Sequence, residues 1–431
     1  MHKCILAMLA AVILAIGGCG DVNDSGKDGR KSTTHATQKS TQEKETPKMR
    51  VVAEKPLKIV CVGDSITDHN TYPQIIMQAF ADAQKTVPAV VCAGISGEMS
   101  MMMDERLDRD ALAFEPDIVT FSAGTNDALH DLSANDYEKY IREVATKCKA
   151  KGVKLILLTP CTINEGGTNK PSEKAEKLTA AYVKVIHTVA KEYGWLVAEV
   201  NKLMTDARAA GKVIMSDDGI HPNYLGRSLM ARAILDAMGH SDMALPKEFS
   251  PKLFPGVITT WKMKAFATAD GKPKHLTPDE IAKLKVDDTW KTYTLPDKPA
   301  LDAKGKMPSA EIWEEQIRRN GFGSDVAKQI GNGAVFGVAE FDRPAEQKAF
   351  INTGAGTRLV WLNGKKVFEQ AKNAGGNDRW SGFHAGKERI PVTLNKGKNT
   401  LVIEVNGTGQ FFLSVTDKLM WEEDYAKTMA E

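Results

Sequence analysis

The chain has 431 residues, enough for two domains, and 42% of them are hydrophobic, ample for packed cores. Its formal net charge is +2 and no basic block is interleaved with aromatics, which argues against nucleic acid as a partner. The six cysteines show no metal-ligand spacing, and no metal or organic cofactor is implied.

The first segment reads as targeting rather than fold. Met1-His2-Lys3 is a short basic start, and Cys4 to Ile16 is an apolar run too short to span a bilayer comfortably. It ends in Ile16-Gly17-Gly18-Cys19. Small residues before a cysteine resemble the lipobox of bacterial lipoprotein signal peptides. That resemblance implies removal of residues 1–18 and lipidation of Cys19 on its thiol and new amino group. It also implies a bacterial cell-envelope location, lipid-anchored, periplasmic or at the cell surface. An ordinary secretory signal cut at the same small residues is the alternative. Residues 19–50 are rich in Ser, Thr, Lys, Asp and Gln and nearly free of large apolar side chains, the composition of a flexible tether.

Residues 51–240 alternate strand and helix patterns. Strands are expected at Lys58–Val62, Ala89–Ala93, Asp117–Ser122, Val153–Thr159 and Leu196–Val200. Helices are expected near Pro73–Lys85, Met99–Ala113, Ala134–Ala150, Pro171–Tyr193 and Asn223–Met238. This βα alternation predicts a parallel sheet with helices on both faces. Met99, Met101, Met102 and Met103 read as a helix face packing on the sheet rather than an acyl pocket. Cys61, Cys92, Cys148 and Cys161 read as buried thiols, with Cys61–Cys92 the favoured pair if a bridge forms.

Two motifs carry chemistry. Gly63-Asp64-Ser65-Ile66-Thr67 follows the first strand, which holds Ser65 at the sheet rim where ligands bind. Gly63 permits the tight turn, and Asp64 and Thr67 can hydrogen-bond it. Far downstream lies Asp218-Gly219-Ile220-His221-Pro222-Asn223. A serine hydroxyl needs a base to take its proton, and the base needs a group to fix its tautomer. Asp218 and His221 are three residues apart, so one turn can bring the carboxylate to one imidazole nitrogen and leave the other for Ser65. Pro222 suits a first helical turn. The adjacent Asp217 is expected to be a solvated turn residue.

These residues resemble the GDSL/SGNH hydrolase family of esterases and lipases. Four blocks match in order: Gly63 to Thr67, Gly94-Ile95-Ser96-Gly97, Gly124-Thr125-Asn126-Asp127, and Asp218 to His221. The resemblance covers roughly 57–240. It implies an α/β, flavodoxin-like strand order, Ser65 as nucleophile, and an oxyanion hole from the Ser65 and Gly97 backbone N–H groups and the Asn126 amide. Many members have asparagine five residues before the second-block glycine. This chain has Cys92 there, a position of structural support. The implied chemistry agrees with the residue types, since acyl transfer develops charge that fixed N–H donors stabilise.

Residues 241–280, with Pro246, Pro251 and Pro255, read as a connector. Residues 281–420 change to short strands. They are expected at Thr289–Tyr293, Ala334–Phe341, Lys348–Asn352, Thr357–Leu362, Lys366–Phe368, Glu388–Val392, Asn399–Val405 and Gln410–Val415, with Asn363-Gly364 as a hairpin turn. The pattern predicts a β-sandwich and resembles the galactose-binding-like jelly rolls appended to many carbohydrate-active enzymes. Trp361 and Phe383 read as core residues. Trp380, in a loop with Gly376, Asn377, Asp378 and Gly382, is the candidate glycan contact.

The leading functional expectation is a lipid-anchored serine esterase that deacetylates carbohydrate. The runner-up is a lysophospholipase- or thioesterase-type lipid acyl hydrolase. A third reading is a non-catalytic glycan-binding lipoprotein that keeps a hydrolase fold. Because all four blocks precede residue 240, a chain cut near 255 is expected to keep small-ester hydrolysis.

Overall fold

The computed structural model describes residues 55–163, 168, 172–246, 252–295, 330–354, 356–370, 388–405, 411–418 and 422–430. The leader, the tether with Cys19, and the loop carrying Trp380 and Phe383 lie outside the described residues.

The first half is built on five parallel strands: β1 (Lys58–Gly63), β2 (Ala89–Gly94), β3 (Ile118–Ser122), β4 (Lys154–Leu158) and β5 (Leu196–Ala198). Their order is β2-β1-β3-β4-β5, the flavodoxin-like arrangement. The strands read as near-continuous apolar runs because both sheet faces are covered. On β1, Ile59 and Cys61 join one core while Val60 and Val62 join the other. The Val60 side is covered by α3 (Ser100–Asp110), α5 (Ala134–Lys151) and α6 (Glu173–Tyr193), through Met103, Leu107, Ile141, Val144 and Ile186. The Ile59 side is covered by α2 (Thr71–Asp82), α7 (Val200–Ala209) and α8 (Tyr224–Ala237), through Ile75, Ile76, Met204, Met230 and Ile234. Two short helices sit at the strand ends, α1 (Ser65–Asp68) after β1 and α4 (Thr125–Leu129) after β3.

Helix boundaries follow local chemistry. Ser133 and Ser172 cap α5 and α6 by accepting from the N–H of Asp136 and Ala175. Gly152 and Gly194 close them in the left-handed conformation. At α8 the N-cap is Asn223, whose side chain accepts from Gly226 N at 3.1 Å. Pro222 is therefore not the first helical residue. It lies one position before the cap, bridged to Met215.

The second half is a β-sandwich. One sheet has six strands, in the order β11-β10-β13-β8-β6-β7. They are β6 (Thr260–Phe266), β7 (Lys291–Thr294), β8 (Ala334–Arg343), β10 (Thr357–Leu362), β11 (Lys365–Glu369) and β13 (Gly397–Val405). The other sheet is β12 (Glu388–Leu394), β9 (Gln347–Thr353) and β14 (Leu413–Thr416). Trp261, Val360, Leu401 and Ile403 of the first sheet meet Ile351, Leu394 and Leu413 of the second in one core. The turn between β10 and β11 is Asn363-Gly364, with φ of 51° and 79°, the pair of positive values a two-residue hairpin requires. Trp361 points to the outer face, where α9 (Pro278–Ala282) and Trp290 cover it.

Two predicted boundaries need correction. The sandwich begins inside the expected 241–280 connector, because β6 is an inner strand between β8 and β7. Its Trp261 and Met263 alternate inward, while the prolines that suggested a linker all precede it. The catalytic half does not end at 240 either. Helix α10 (Glu422–Ala430) packs back on α2 and β2 and places Tyr425, Ala426 and Met429 in the core with Ile59 and Ile75. Phe254 stacks on Tyr425 at 4.1 Å between ring centroids, and the Tyr425 hydroxyl donates to Lys252 O at 3.0 Å. The last helix of the chain thus completes the core of the first half, while the sandwich keeps a core of its own.

Among the described residues no helix is long and apolar enough to cross a membrane. Cys61, Cys92, Cys148 and Cys161 are buried free thiols, although Cys61 and Cys92 face each other in register. Burial pushes the Cys61 and Cys148 thiols up to about 12, so both behave as small hydrophobes.

Candidate active site

Three loops leave the carboxyl ends of β2, β1 and β3, which are adjacent, so their residues meet at one rim. The first carries Ser65. Asp64 follows β1 and caps α1, its Oδ1 accepting from Ile66 N at 2.9 Å. Ser65 is thus the first helical residue, and its N–H is one of those a helix leaves without an intrahelical acceptor. Helix α1 can lie against β2 only because position 94 is glycine. A Cβ there would sit 2.1 Å from Asp68 N. Cys92 supports the same contact, its thiol donating to Thr67 O at 3.0 Å.

The base arrives from the loop before α8. Asp218 folds that loop on itself, its Oδ1 accepting from Ile220 N at 2.8 Å and His221 N at 2.9 Å. The free Oδ2 then accepts from His221 Nδ1 at 2.5 Å. That bond fixes the proton on Nδ1, so Nε2 is an acceptor. It receives the Ser65 hydroxyl at 2.7 Å. Partial burial would raise the Asp218 carboxyl, but the hydrogen bonds from the His221 ring and from the His221 and Ile220 backbone outweigh it and hold the group below its ordinary value. Asp217 is exposed, and its carbonyl accepts from Thr168 N.

The expected oxyanion donors lie at the same rim. Gly97 is exposed, with φ of 83°, a conformation that L side chains rarely adopt. Asn126 is half-buried. Its Nδ2 donates to Glu98 O at 2.9 Å and makes a longer contact of 3.4 Å to Asp64 Oδ2. The second hydrogen is the one an oxyanion would take.

A buried polar network beneath these loops has no counterpart in the sequence reading. Arg106, from α3, pairs with Glu98 at 2.6 Å and donates to the carbonyls of Gly63 at 3.2 Å and Ala93 at 2.8 Å. It thereby ties β1, β2 and the Gly97 turn together. Asp127 accepts from Ser100 N and Oγ with one oxygen and from Gly124 N with the other. That links the Gly97 and Asn126 turns. Neither pairing has a local spacing that would have revealed it.

Asp64 is fully enclosed, and burial pushes its carboxyl up to about 7 despite the Ile66 N–H, with the charges of Asp127 and Glu98 adding to the rise. The unfolded chain releases this proton near 3.8 and the folded chain near 7. Between those values the folded state holds more protons, so rising pH weakens the fold until about 7 and no further. Each unit of difference corresponds to about 1.4 kcal/mol. Asp64→Asn keeps a capping oxygen and removes the charge. Its melting temperature should gain several degrees on the wild type between pH 4 and pH 8. An offset that does not change with pH would refute this account.

A flavodoxin-like sheet with a serine, a histidine and an aspartate hydrogen-bonded in series at its carboxyl edge defines a serine hydrolase architecture. Residues 61–229 match the GDSL-like lipase/acylhydrolase family model, so the chain carries a hydrolase domain of that type. Among curated proteins, an acetylxylan esterase of Xylanibacter ruminicola is 27% identical over 220 residues, 43% of this chain and 44% of that protein. An acetylxylan esterase of Geobacillus stearothermophilus is 28% identical over 168 residues, 35% of this chain and 72% of that protein. The chain thus spans less than half the length of the first of these relatives. The crystal structure of Axe2, an acetylxylan esterase from Geobacillus stearothermophilus, covers 42% of this chain and 94% of its own, at 22% identity and a TM-score of 0.38.

Proposed function

We propose that this chain is a serine esterase that removes acetyl groups from carbohydrate through an acyl-enzyme. The observation that carries the reading is the unbroken series Ser65 Oγ, His221 Nε2, His221 Nδ1, Asp218 Oδ2. The similarity of its hydrolase domain to two acetylxylan esterases supports the choice of substrate class.

In this mechanism Ser65 Oγ attacks the ester carbonyl as its proton passes to His221 Nε2. The developing oxyanion is held by the Ser65 and Gly97 N–H groups and the Asn126 amide. Collapse breaks the bond to the sugar oxygen, which leaves with the proton from His221. Water then attacks the acetyl-enzyme, His221 takes its proton, and acetate departs as Ser65 is reprotonated. Asp218 stays ionised throughout and stabilises the imidazolium. We further propose that lipid-modified Cys19 anchors the enzyme in a bacterial cell envelope and that the sandwich, resembling a jelly roll, holds glycan near the site.

The test is a series of p-nitrophenyl esters of rising acyl length, followed by acetate release from acetylated xylan. Fastest turnover on the acetyl ester, together with acetate release, is expected. Preference for long acyl chains with no acetate released would replace the carbohydrate reading with a lipid acyl hydrolase. Absence of labelling by a fluorophosphonate probe would remove the serine chemistry itself.

A further inference from the structure

Two of the oxyanion donors come from different loops, and one residue that the mechanism above does not use adjoins both. Gly97 is exposed, and a Cβ built on it would meet nothing within 4 Å. Its position is therefore set by its neighbours along the chain. On one side Ile95 N donates to Gly63 O at 2.9 Å and Ser96 Oγ donates to Asp68 Oδ2 at 2.7 Å. On the other side stands Glu98, only 2% exposed. Its carbonyl accepts from Asn126 Nδ2 at 2.9 Å. A carbonyl can only accept, so this bond requires the nitrogen of the Asn126 amide on that side. Residue 98 thus follows one oxyanion donor in the chain and orients another through space.

The Glu98 side chain is held by a buried cation. Arg106, 4% exposed, donates from Nε to Glu98 Oε2 at 2.6 Å. Its Nη2 donates to Gly63 O at 3.2 Å and to Ala93 O at 2.8 Å. Gly63 lies two residues before Ser65, and Ala93 lies at the end of the strand that leads to Gly97. One rigid guanidinium fork therefore reaches the nucleophile's strand, the donor's strand and the residue after the donor. The other carboxylate near Arg106, Asp110, is farther away at 3.5 Å and takes two hydrogen bonds from Arg109. Taking two charges out of water commonly costs more than their attraction returns, so such a pair is better accounted for by the conformation it selects.

We propose that Glu98 and Arg106 are positioning residues for the oxyanion hole. Arg106 fixes Glu98, and Glu98 sets the Gly97 N–H and the Asn126 amide where the tetrahedral intermediate needs them. Neither residue touches substrate. These roles rest on the oxyanion donors assigned above and go beyond them by naming what holds two of the three in register. Fixed donors act on charge that develops only in the transition state, so displacing them lowers kcat and leaves KM nearly unchanged. A pair that served stability alone would lower the melting temperature without that split.

The experiment measures kcat and KM of the full chain on p-nitrophenyl acetate, at a temperature below the melting midpoint of every variant. Glu98→Ala and Arg106→Met should each lower kcat about 10²-fold, the cost of misplacing a group by about 1 Å, with KM within about threefold of wild type. Glu98→Gln keeps an oxygen for Arg106 Nε but loses the charge, and should fall between, about tenfold below wild type in kcat. It also decides the matter if the larger changes unfold the chain. Because Glu98 acts partly through Asn126, adding Glu98→Ala to an Asn126→Ala chain should cost no more than about tenfold further. Folded variants with kcat within about twofold of wild type would overturn the proposal, as would a loss confined to KM. So would the full loss repeated on the Asn126→Ala chain. If Asn126→Ala alone leaves kcat unchanged, the oxyanion assignment falls and takes this proposal with it, a result distinct from the others.

Discussion

Asp218→Asn is expected to lower kcat by about 10³–10⁴, whereas Asp217→Asn leaves it within about twofold. The two residues are adjacent and chemically identical, so the contrast isolates geometry. Asp218 uses one oxygen to fold the loop and the other to hold His221 Nδ1. An amide in its place can offer an N–H to the ring, which puts the imidazole proton on Nε2 and leaves no acceptor for Ser65. Asp217 points to solvent and contributes its carbonyl to Thr168 N, which the substitution leaves intact. Steady-state kinetics on p-nitrophenyl acetate, with circular dichroism to verify folding, decides the matter. Equal losses, or the reverse order, would reassign the orienting carboxylate.

The second large effect concerns α10. Deleting residues 422–431 should destabilise the hydrolase half by several kcal/mol, and Tyr425→Ala alone by about 3 kcal/mol, the usual cost of emptying a large core site. Tyr425 and Met429 are 1% and 2% exposed and fill the core beside Ile59 and Ile75, on the sheet face opposite α3. Folded proteins are stable by only about 5–15 kcal/mol, so the loss is a sizeable fraction of the total. A cut near residue 255 removes α10 together with the sandwich. The expectation that such a cut spares small-ester hydrolysis is therefore withdrawn: activity on small and polymeric esters should fall together at 37 °C. Thermal melts of the shortened chain test this, and a midpoint within a degree or two of full length would contradict it.

Much of the first half was legible because its signals are local. The parallel strands are unbroken apolar runs, and the long helices carry their own caps at Ser133, Ser172, Gly152 and Gly194. The placement of Ser65, Asp218 and His221 was readable because a nucleophile, a base and an orienting acid constrain one another's spacing. Helices α1 and α4 were not foreseen. Each is only four or five residues long and begins inside a run of Gly, Asp, Thr and Asn that reads as a turn. Helix α7 escaped because only Val200 and Met204 of its ten residues are buried, too few to show a period. Strand β6 does alternate, with Trp261 and Met263 inward, but the prolines before it drew the boundary too late. The Arg106–Glu98 pair and the Asp127 bridge depend on chain crossings, which no spacing along the sequence reports.

The return of α10 also orders events in time. The core around α2 and β2 opens near residue 59 and is closed by side chains about 370 positions later. A ribosome emits on the order of 5–20 residues per second, so the gap amounts to tens of seconds during which the part of that face under α10 has no cover. Such distant contacts are also the slowest to form, because a long loop must close before they stabilise anything. The nascent hydrolase half therefore waits, incompletely packed, until Met429 has been added. Enzyme activity should then appear only on chains released or extended past that point, and a chaperone that shields apolar surface has its longest opportunity here.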